Sequence, residues 1–495
     1  MNRPFKILFI KACDGPQGIE VPLGILYLSA YLKAQLGDKI SIDLVDLRLA
    51  KQWSSVLVDT LDRFSPDLIG ISLLSGDRPF LNDWPDFLKN HSPHTLITIG
   101  GPLATYGYEE ILRNHRSVDF AVLGEGEKAF LNLVTAVMKN EKPADSAGIA
   151  YLDNDMLICG GQGKTIGDLD ELPFPDYSLI DLRPYTNHRH AMNGVLAEKR
   201  HTHIISSRGC PYNCIYCHDI FGKKCRTRSP ENFVAEIQWL YDEYHVREFH
   251  IIDDIFNLDK ARMHDILNRI IASGMRIKIA FPNGIRADLL EQEDILLLKK
   301  AGCYMITFAI ESASPRIQKM IKKNLNIDKA VENIRYASQA GLITRSFFML
   351  GFPGETVEEI KATVSLAVRS PLDLVFFFTV VPFEYTELAR LAASQYPHLN
   401  TWDNHFWGQI PFYQKATGYP LKRLQILAYV RFFLPFRIFR TLQKLPYKRR
   451  VVRSWVDMAI YIIFTPWYEY LERRHQRVPR LPASAVTGGT LHSTG

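Results

Sequence analysis

The first 140 residues alternate short apolar runs with longer segments in which apolar residues recur at helical spacing. Each apolar run ends at a turn, as a buried parallel strand does. Repeated β-α units predict an α/β fold over residues 1–142, a Rossmann-like doubly wound parallel sheet. The predicted strands are Lys6–Ile10, Ile40–Val45, Asp67–Leu74, Thr95–Ile99 and Phe120–Leu123, with helices at Leu23–Leu36 and Trp53–Phe64.

The same alternation starts again after a connector. Residues 143–200 hold turn signals together with Pro173 and Pro175, which favour a linker without regular ladders. Six β-α units over residues 201–390 fit a partial (β/α)6 barrel of the TIM type, whose chemistry lies at the C-terminal strand ends. The predicted strands are Thr202–Ser206, Glu248–Ile252, Ile277–Phe281, Met305–Ile310, Thr344–Leu350 and Leu374–Val380.

We predict a mostly helical C-terminal region over residues 391–480 and a flexible tail over residues 481–495. Between Leu421 and Arg480 we count 14 Lys+Arg against 3 Asp+Glu, a net charge of +11. This charge favours either a helical cap with a solvated basic rim or contact with a membrane surface or amphiphilic substrate. Nucleic acid ranks below lipid, because no RNA-binding module accompanies the charge. Four aromatic residues of this region either line an apolar substrate pocket or pack in the core, and the two explanations fit equally well. These residues are Trp402, Phe406, Trp407 and Phe412.

Composition narrows the class of protein. The chain has 495 residues, of which 47% are hydrophobic and 23% charged, so two or three folded domains are expected rather than disorder. The short apolar run at the start is followed by a Cys-Asp-Gly turn where a signal peptide would need a cleavage site. We therefore expect no signal peptide. Three of the seven cysteines cluster, which predicts a metal site in a reducing compartment. We expect a cytoplasmic protein, peripheral to the inner membrane if the basic region binds lipid.

Cys210, Cys214 and Cys217 follow a predicted strand with the spacing C-x3-C-x2-C. Thiolates are soft ligands suited to iron–sulfur clusters. Three of them can hold three irons of a cubane and leave the fourth iron free for a substrate. The alternative is a structural zinc site, which needs a fourth ligand such as His218 or Cys225.

This spacing, with the aromatic Tyr216 before the last cysteine, resembles the signature of radical S-adenosylmethionine (SAM) enzymes. The resemblance implies a [4Fe–4S] cluster on the three cysteines and SAM chelated to the unique iron. An electron from the cluster would then cleave SAM and yield a 5′-deoxyadenosyl radical. Further matches cover roughly residues 200–390.

The resemblance also implies SAM-binding residues at the ends of the barrel strands. Asp253 and Asp254 depart from the Gly-Gly-Glu turn common in the family and are similar to the Asp-Asp form of cobalamin-dependent members. Each position also has a structural interpretation, such as a helix cap, a surface charge or an ion pair. The predicted SAM-binding residues are Tyr216, Asp253, Asp254, Arg286, Glu311, Gly351 and Gly354.

The N-terminal domain resembles the cobalamin-binding domain that precedes the barrel in one class of radical SAM enzymes. Cobalamin domains that ligate cobalt through histidine carry Asp-x-His-x-x-Gly after the first strand, whereas residues 13–18 here contain no histidine. Histidine is therefore not expected as the lower ligand. A minority of members keep this fold without binding cobalamin. The predicted cobalamin-binding residues are Ser72, Leu74, Gly100, Gly101, Thr105, Gly124 and Glu125.

Three hypotheses follow. The first is a cobalamin-dependent radical SAM C-methyltransferase acting on a small amphiphilic or natural-product substrate, with a reductase, flavodoxin or ferredoxin as electron donor. The second is radical oxidation, such as cyclisation, hydroxylation or carbon–carbon bond formation on a tetrapyrrole, lipid or antibiotic precursor, without methyl transfer. The third is a non-catalytic metal-binding protein. No side chain is assigned as a catalytic acid or base, because radical hydrogen abstraction requires neither.

Overall fold

The structure is a computed structural model that describes residues 3–12, 19–50, 53–143, 147–187, 195–383, 385–399, 411–433, 437–445, 447–449, 452, 453 and 456. These residues form two parallel-stranded sheets in succession, each covered by helices. Three predictions lie outside the described residues. They concern the tail 481–495, the loop 13–18 and the aromatic residues Trp402, Phe406 and Trp407.

The N-terminal sheet has seven strands in the order β2-β1-β3-β4-β5-β6-β7. The first five strands run parallel, because a helix returns the chain to the same edge between them. The strands are β1 (Phe5–Lys11), β2 (Ile40–Asp46), β3 (Leu68–Ser72), β4 (Leu96–Gly100), β5 (Phe120–Val122), β6 (Ile149–Asp153) and β7 (Met156–Cys159). The helices are α1 (Leu23–Leu36), α2 (Trp53–Phe64), α3 (Trp84–His91), α4 (Pro102–Asn114) and α5 (Gly126–Met138), and α6 (Leu182–Asn187) follows in the connector.

The hairpin β6–β7 extends this sheet beyond the five predicted strands. Strand β6 pairs antiparallel with β5, so that Ala150 lies opposite Ala121. Asn154 and Asp155 both have positive φ, as the two central residues of a tight hairpin turn require. The predicted linker over residues 143–200 thus begins with a hairpin, whereas Pro173 and Pro175, which forbid regular ladders around them, lie beyond it. The polar residues that indicate a loop there form the hairpin turn itself.

The second sheet is a partial barrel of six parallel strands in the order β8-β11-β12-β13-β14-β15. A short antiparallel ribbon, β9 with β10, stands after β8 and brackets the three cysteines. The strands are β8 (His201–Ile204), β9 (Ser207–Arg208), β10 (Arg226–Thr227), β11 (Glu248–Ile251), β12 (Lys278–Ile285), β13 (Cys303–Glu311), β14 (Ile343–Leu350) and β15 (Leu374–Thr379). The helices are α7 (Pro230–Glu243), α8 (Lys260–Ala272), α9 (Gln292–Lys300), α10 (Pro315–Met320), α11 (Ile327–Gln339) and α12 (Val357–Arg369).

The predicted fold class is confirmed, with a Rossmann-like sheet, a partial barrel and a helical C-terminal region. Helices α1 and α2 have the predicted bounds. Strand β12 runs further than predicted, through Asn283 and Gly284 to Ile285, with a register shift after Phe281. Asn and Gly have low strand propensity, which conceals this continuation in the sequence.

The C-terminal region contains α13 (Glu387–Gln395), α14 (Phe412–Thr417), α15 (Leu421–Phe433) and α16 (Arg437–Lys444). Helix α15 packs along β15, and Gln425 donates a hydrogen bond of 2.6 Å to the carbonyl of Phe377. Phe412 is buried against Tyr396, so this aromatic residue belongs to the core. Among the described residues, no helix has the length and apolar character that crossing a membrane requires.

Part of the C-terminal positive charge is used inside the fold. Arg437 donates hydrogen bonds to the carbonyls of Val368, in the last turn of α12, and of Ser370 and Leu372, just beyond its end. Cations stabilise such helix ends, because the terminal carbonyls lack partners within the helix. This basic side chain is therefore turned toward the barrel.

Helix α1 and the connector pack into the hydrophobic core of the barrel. Tyr27 of α1 and Tyr177 of the connector belong to the same buried cluster as Phe233 and Phe249 of the barrel. The Tyr177 hydroxyl also forms a hydrogen bond of 2.8 Å with Thr202 Oγ1. The N-terminal sheet is thereby fixed against the barrel, which positions the site between them.

Candidate active site between the two sheets

A cavity of about 470 Å³ lies between the carboxyl edges of the two sheets. Parallel sheets bind ligands at these edges, where strand ends and loops converge. The N-terminal wall comes from the strand ends and glycine-rich loops after β3, β4 and β5, and it includes Ser72, Gly100, Gly101, Gly124 and Glu125. The barrel wall includes Ile205, Arg208, His218, Ile252, Asp254 and Asn283.

The cysteine loop, residues 205–229, is held tightly against the barrel. Gly209 has φ of +90°, and a side chain there would come within 2.5 Å of the Lys224 carbonyl oxygen, so only glycine fits. The amide of Ile215 donates a hydrogen bond of 3.1 Å to the carbonyl of Ile321. These contacts fix the backbone from which the three cysteines project.

Burial changes the ionisation of Cys210 and Cys217. Burial, followed by the sulfur of Cys214, raises the pKa of Cys217 to about 12. Burial also raises the pKa of Cys210. Three thiolates here therefore need positive charge beside them, which the iron ions of a cluster supply.

The two aspartates after β11 have different surroundings. Asp253 is buried and accepts hydrogen bonds from the Ser206 amide (2.7 Å), the Ser206 hydroxyl (2.5 Å) and the Ser207 hydroxyl (2.6 Å). Its carboxylate anchors the cysteine loop, which differs from the predicted contact with SAM. Asp254 lines the cavity, and its carboxylate accepts a hydrogen bond of 3.1 Å from the Gly209 amide.

Glu311 and Tyr216 are brought together by a lysine. Lys323 Nζ lies 2.9 Å from Glu311 Oε1 and 3.3 Å from the Tyr216 hydroxyl. Glu311 has φ of +70°, a strained conformation for a residue other than glycine and one that often marks a functional position. Sequence reasoning misses Lys323, because it reaches Glu311 from the loop between α10 and α11 and no local motif marks it.

Arg286 stands after β12, as predicted, and contacts the cysteine loop. Its guanidinium carbon lies 3.9 Å from the centre of the Tyr212 ring, a cation–π contact. Nε donates a hydrogen bond of 2.9 Å to Asp288, and a second nitrogen donates one to the carbonyl of Asn324. Arg286 thus clamps the tip of the loop.

The loop after β14 is rigid for a reason the sequence does not show. A side chain at Gly351, where φ is +89°, would come within 2.7 Å of Tyr413 and still closer to Leu421. Glycine is therefore needed here so that the C-terminal helices can approach, which differs from the predicted approach of adenine. Glu355 accepts hydrogen bonds from the amides of Gly351 (2.7 Å) and Phe352 (3.0 Å), and burial raises its pKa to about 7.

Gly354 lies in the same loop with φ of +71°, and its backbone is exposed. The nearest atom to a side chain added there would be 3.7 Å away, on Gln395. Its surroundings therefore leave room for a ligand to approach the backbone.

Five of the seven predicted cobalamin-binding residues line the cavity. Ser72, Gly100, Gly101 and Gly124 form its glycine-rich wall, and Glu125 lies beside them. A side chain at Gly101, where φ is +90°, would come within 2.6 Å of the Leu73 carbonyl oxygen. A wall of backbone atoms lets a large flat ligand approach closely, so these residues fit a corrin.

Thr105 and Leu74 are not among the residues that line the cavity. Thr105 joins two glycine loops, because its hydroxyl donates to the Gly101 carbonyl (2.9 Å) and accepts from the Gly124 amide (3.0 Å). Leu74 is 40% exposed and does not line the cavity, in contrast to the prediction.

Glu125 lines the cavity, but its carboxylate forms ion pairs with arginines. It pairs with Arg226, and its Oε2 lies 3.4 Å from Arg208. Arg208 also binds Glu127 at 2.7 Å, and all four side chains are buried. Both carboxylates come from the start of α5, and both arginines flank the cysteines. The pairing uses the carboxylate of Glu125 inside the protein and links the cysteine loop to the N-terminal domain.

Comparison with known proteins agrees with this arrangement. Residues 204–367 match the family model of the radical SAM superfamily, and residues 13–134 match that of the B12 binding domain. An uncharacterized methyltransferase, PH0819 of Pyrococcus horikoshii, is 30% identical over 375 residues, covering 75% of this chain and 78% of its own. The cytidylyl-2-hydroxyethylphosphonate methyltransferase of Streptomyces wedmorensis is 28% identical, covering 79% and 78%. The anaerobic magnesium-protoporphyrin IX monomethyl ester cyclase of Rubrivivax gelatinosus is 26% identical, covering 77% and 69%.

Two solved structures share the fold. The radical SAM methyltransferase TsrM of Kitasatospora setae superposes with a TM-score of 0.65 at 18% identity, covering 80% of this chain and 76% of its own. The cobalamin-dependent radical SAM enzyme OxsB superposes with a TM-score of 0.62 at 20% identity. The match covers 85% of this chain but only 57% of OxsB.

Fold and site together define a metal- and cobalamin-using enzyme built on a Rossmann-like sheet and a partial barrel. The chain belongs to the radical SAM superfamily and carries a B12 binding domain. Its cofactors are those of this class: a [4Fe–4S] cluster, SAM and cobalamin. The hypothesis of a non-catalytic metal-binding protein is accordingly set aside.

Proposed function

We propose that this enzyme transfers a methyl group to an unactivated carbon of a small amphiphilic substrate. The observation that carries the proposal is the cavity, which joins the glycine wall of the B12 binding domain to the cysteine loop. When bound, the cluster supplies the electron that cleaves SAM, and cobalamin supplies the methyl group. The names of two relatives, both methyltransferases, support this reaction.

The chain's own residues bind the cofactors and orient them. Cys210, Cys214 and Cys217 hold the cluster. Asp254 faces the cavity beside the loop and is suited to the SAM ammonium group, and Glu311 is suited to its ribose hydroxyls. Tyr216, Arg286 and Gly354 complete the proposed SAM site, in which Lys323 holds Glu311 and Arg286 holds the loop tip.

The proposed electron donor is a reductase, flavodoxin or ferredoxin. Lys223 and Lys224 are exposed on the cysteine loop, seven residues or fewer after Cys217. Positive charge close to a redox centre speeds encounter with an acidic partner. This surface therefore supports an acidic flavodoxin- or ferredoxin-like donor.

Contact with a membrane surface belongs to the proposal as a second property. On the outer side of the C-terminal helices, Leu427 is 55% and Phe439 is 67% exposed, and the basic residues Arg423 and Arg431 are exposed with them. Apolar side chains set among cations suit an anionic lipid surface.

Methyl transfer is tested by the products of SAM. The reconstituted enzyme is incubated with SAM, dithionite and a metabolite extract, and S-adenosylhomocysteine and 5′-deoxyadenosine are measured. Methyl transfer predicts both products in similar amounts and a labelled product when the SAM methyl group carries deuterium. 5′-Deoxyadenosine alone would instead favour the oxidative alternative, which the similarity to a ring-forming cyclase supports.

A further inference from the structure

The segment of the cysteine loop that follows Cys217 is exposed and borders the cavity. His218 and Ile220 both belong to the cavity wall, and Asp219 stands between them. Cys217, His218 and Asp219 are all exposed. The buried ion pairs described above hold the two ends of the loop, so the position of this middle segment depends on other contacts.

Tyr106 supplies such a contact from the N-terminal domain. Its hydroxyl donates a hydrogen bond of 3.1 Å to the Asp219 carboxylate and accepts one of 3.2 Å from the Asp219 amide. A hydrogen bond to a carboxylate is stronger than one between neutral groups, and the pair of bonds fixes both the backbone and the side chain of Asp219. The segment after the last cysteine is thus attached to helix α4.

The ring of Tyr106 is held a second time by the segment after β15. It stacks on the ring of Tyr385, with centroids 3.8 Å apart and planes at 8°. Phe383 in turn stacks on Tyr385, at 6.0 Å and 13°. Tyr385 lies just before α13, whose Leu388 amide donates a hydrogen bond of 2.9 Å to the carbonyl of Ile215 in the cysteine loop. The stacking partner of Tyr106 is therefore itself anchored to that loop.

On its own helix, Tyr106 follows one turn after the glycine wall. Gly101 and Pro102, at the start of α4, line the cavity. Thr105 binds the Gly101 carbonyl through its amide and through its hydroxyl, each at 2.9 Å. Rigid helices and hydrogen-bond networks carry coupling between sites. One helical turn therefore connects the proposed corrin surface to the residue that holds Asp219.

From this geometry we propose that Tyr106 is a positioning residue, which sets the spacing between cobalamin on the glycine wall and the cluster on the cysteine loop. Tyr106 does not line the cavity, and it acts through Asp219 and Tyr385. The inference rests on the proposed function, since it concerns the two cofactor sites that the reaction joins. Such a reaction needs a fixed spacing, because a misplacement of about 1 Å can lower a rate about a hundredfold.

The test measures the spacing of the two metal centres and needs no turnover. Enzyme loaded with the cluster and hydroxocobalamin is reduced with dithionite, which makes both centres paramagnetic. Pulsed electron paramagnetic resonance then records the dipolar coupling between the two spins, which weakens with the cube of their separation. The variants are Tyr106→Phe, which removes only the hydroxyl, and Tyr385→Leu, which removes the stacked ring. Tyr336→Phe is the matched control, because the Tyr336 hydroxyl binds Glu332 at 2.8 Å on the outer helix α11.

The parent and Tyr336→Phe are expected to show one narrow range of couplings. Tyr106→Phe and Tyr385→Leu should keep the iron and cobalt contents of the parent but show a broader range, because the segment after Cys217 is no longer held at one distance. Loss of cobalt from Tyr106→Phe, couplings in it as narrow as in the parent, equal broadening in Tyr336→Phe, or no coupling in the parent would overturn the inference. An enzyme that shows the expected couplings but makes no S-adenosylhomocysteine contradicts the proposed function alone.

Discussion

Lys323 is the cation on which the geometry after β13 depends. It contacts Glu311 and Tyr216 at once, and Glu311 is only 6% exposed. A buried carboxylate without a cation carries a desolvation cost that nothing offsets. The lysine therefore holds the Glu311 carboxylate in place for a ligand hydroxyl.

Replacement of Lys323 by methionine is expected to weaken SAM binding about tenfold, because Glu311 loses its charge-assisted partner. Isothermal titration of the cluster-loaded enzyme with SAM measures the effect. Lys322→Met is the control, since Lys322 pairs with Glu387 at the surface. Equal SAM affinities in the two variants would remove Lys323 from the site.

The raised pKa of Glu355 predicts that the free energy of unfolding depends on pH. Burial raises the pKa of Glu355 from 4.5 to about 7, so the folded state holds this proton more tightly than the unfolded state. The free energy of unfolding must then fall as the pH rises from about 4.5 to 7. Relative to Glu355→Gln, the parent should lose about 2 kcal/mol between pH 5.5 and pH 8.

Urea unfolding at the two pH values measures this difference. Glu358→Gln is the matched control, because Glu358 is exposed on the first turn of α12. If the free energy of unfolding changes equally in Glu355→Gln and in the parent between the two pH values, the assignment of a raised pKa to Glu355 is wrong.

At the scale of elements, the start of α5 and the ribbon β9–β10 are joined by buried ion pairs. Glu125 and Glu127 face Arg208 and Arg226, which lie in the cysteine loop on either side of the three cysteines. Removing one partner of a buried pair leaves an uncompensated charge, which typically costs 3–5 kcal/mol. These pairs therefore fix the distance between the B12 binding domain and the cluster loop.

Glu125→Gln is expected to lower the free energy of unfolding by about 3 kcal/mol. Glu109→Gln breaks the exposed i,i+4 pair with Arg113 and should cost less than about 0.5 kcal/mol. Denaturant unfolding of both variants provides the comparison. A loss no larger in Glu125→Gln than in Glu109→Gln would show that the pairs do not hold the interface.

The same elements show what a sequence can predict. Helices α1 and α2 and the positions of the parallel strands follow from local periodicity, which depends on neighbouring residues alone. The hairpin β6–β7 escapes prediction because its strands gain stability only from β5. The ion pairs of Glu125 and the lysine at Glu311 join residues 101 and 12 positions apart, and no local pattern records such contacts.

At the scale of the whole molecule, two sheets that each bind ligands at their carboxyl edges are placed edge to edge. The packing of Tyr27 and Tyr177 into the barrel core sets this arrangement, and the cavity results from it. The cysteine loop and the glycine wall consequently lie around one space. The central claim is that the three cysteines and the glycine wall act together in that space.

The most direct test is metal analysis with a SAM cleavage assay on anaerobically reconstituted enzyme supplied with hydroxocobalamin. The parent and a Cys159→Ala control are expected to contain about four irons and one cobalt per chain and to release 5′-deoxyadenosine from SAM with dithionite. Cys214→Ala should lose the iron and the cleavage while it keeps the cobalt. Zinc in place of iron, or 5′-deoxyadenosine formed equally by Cys214→Ala, would contradict the account.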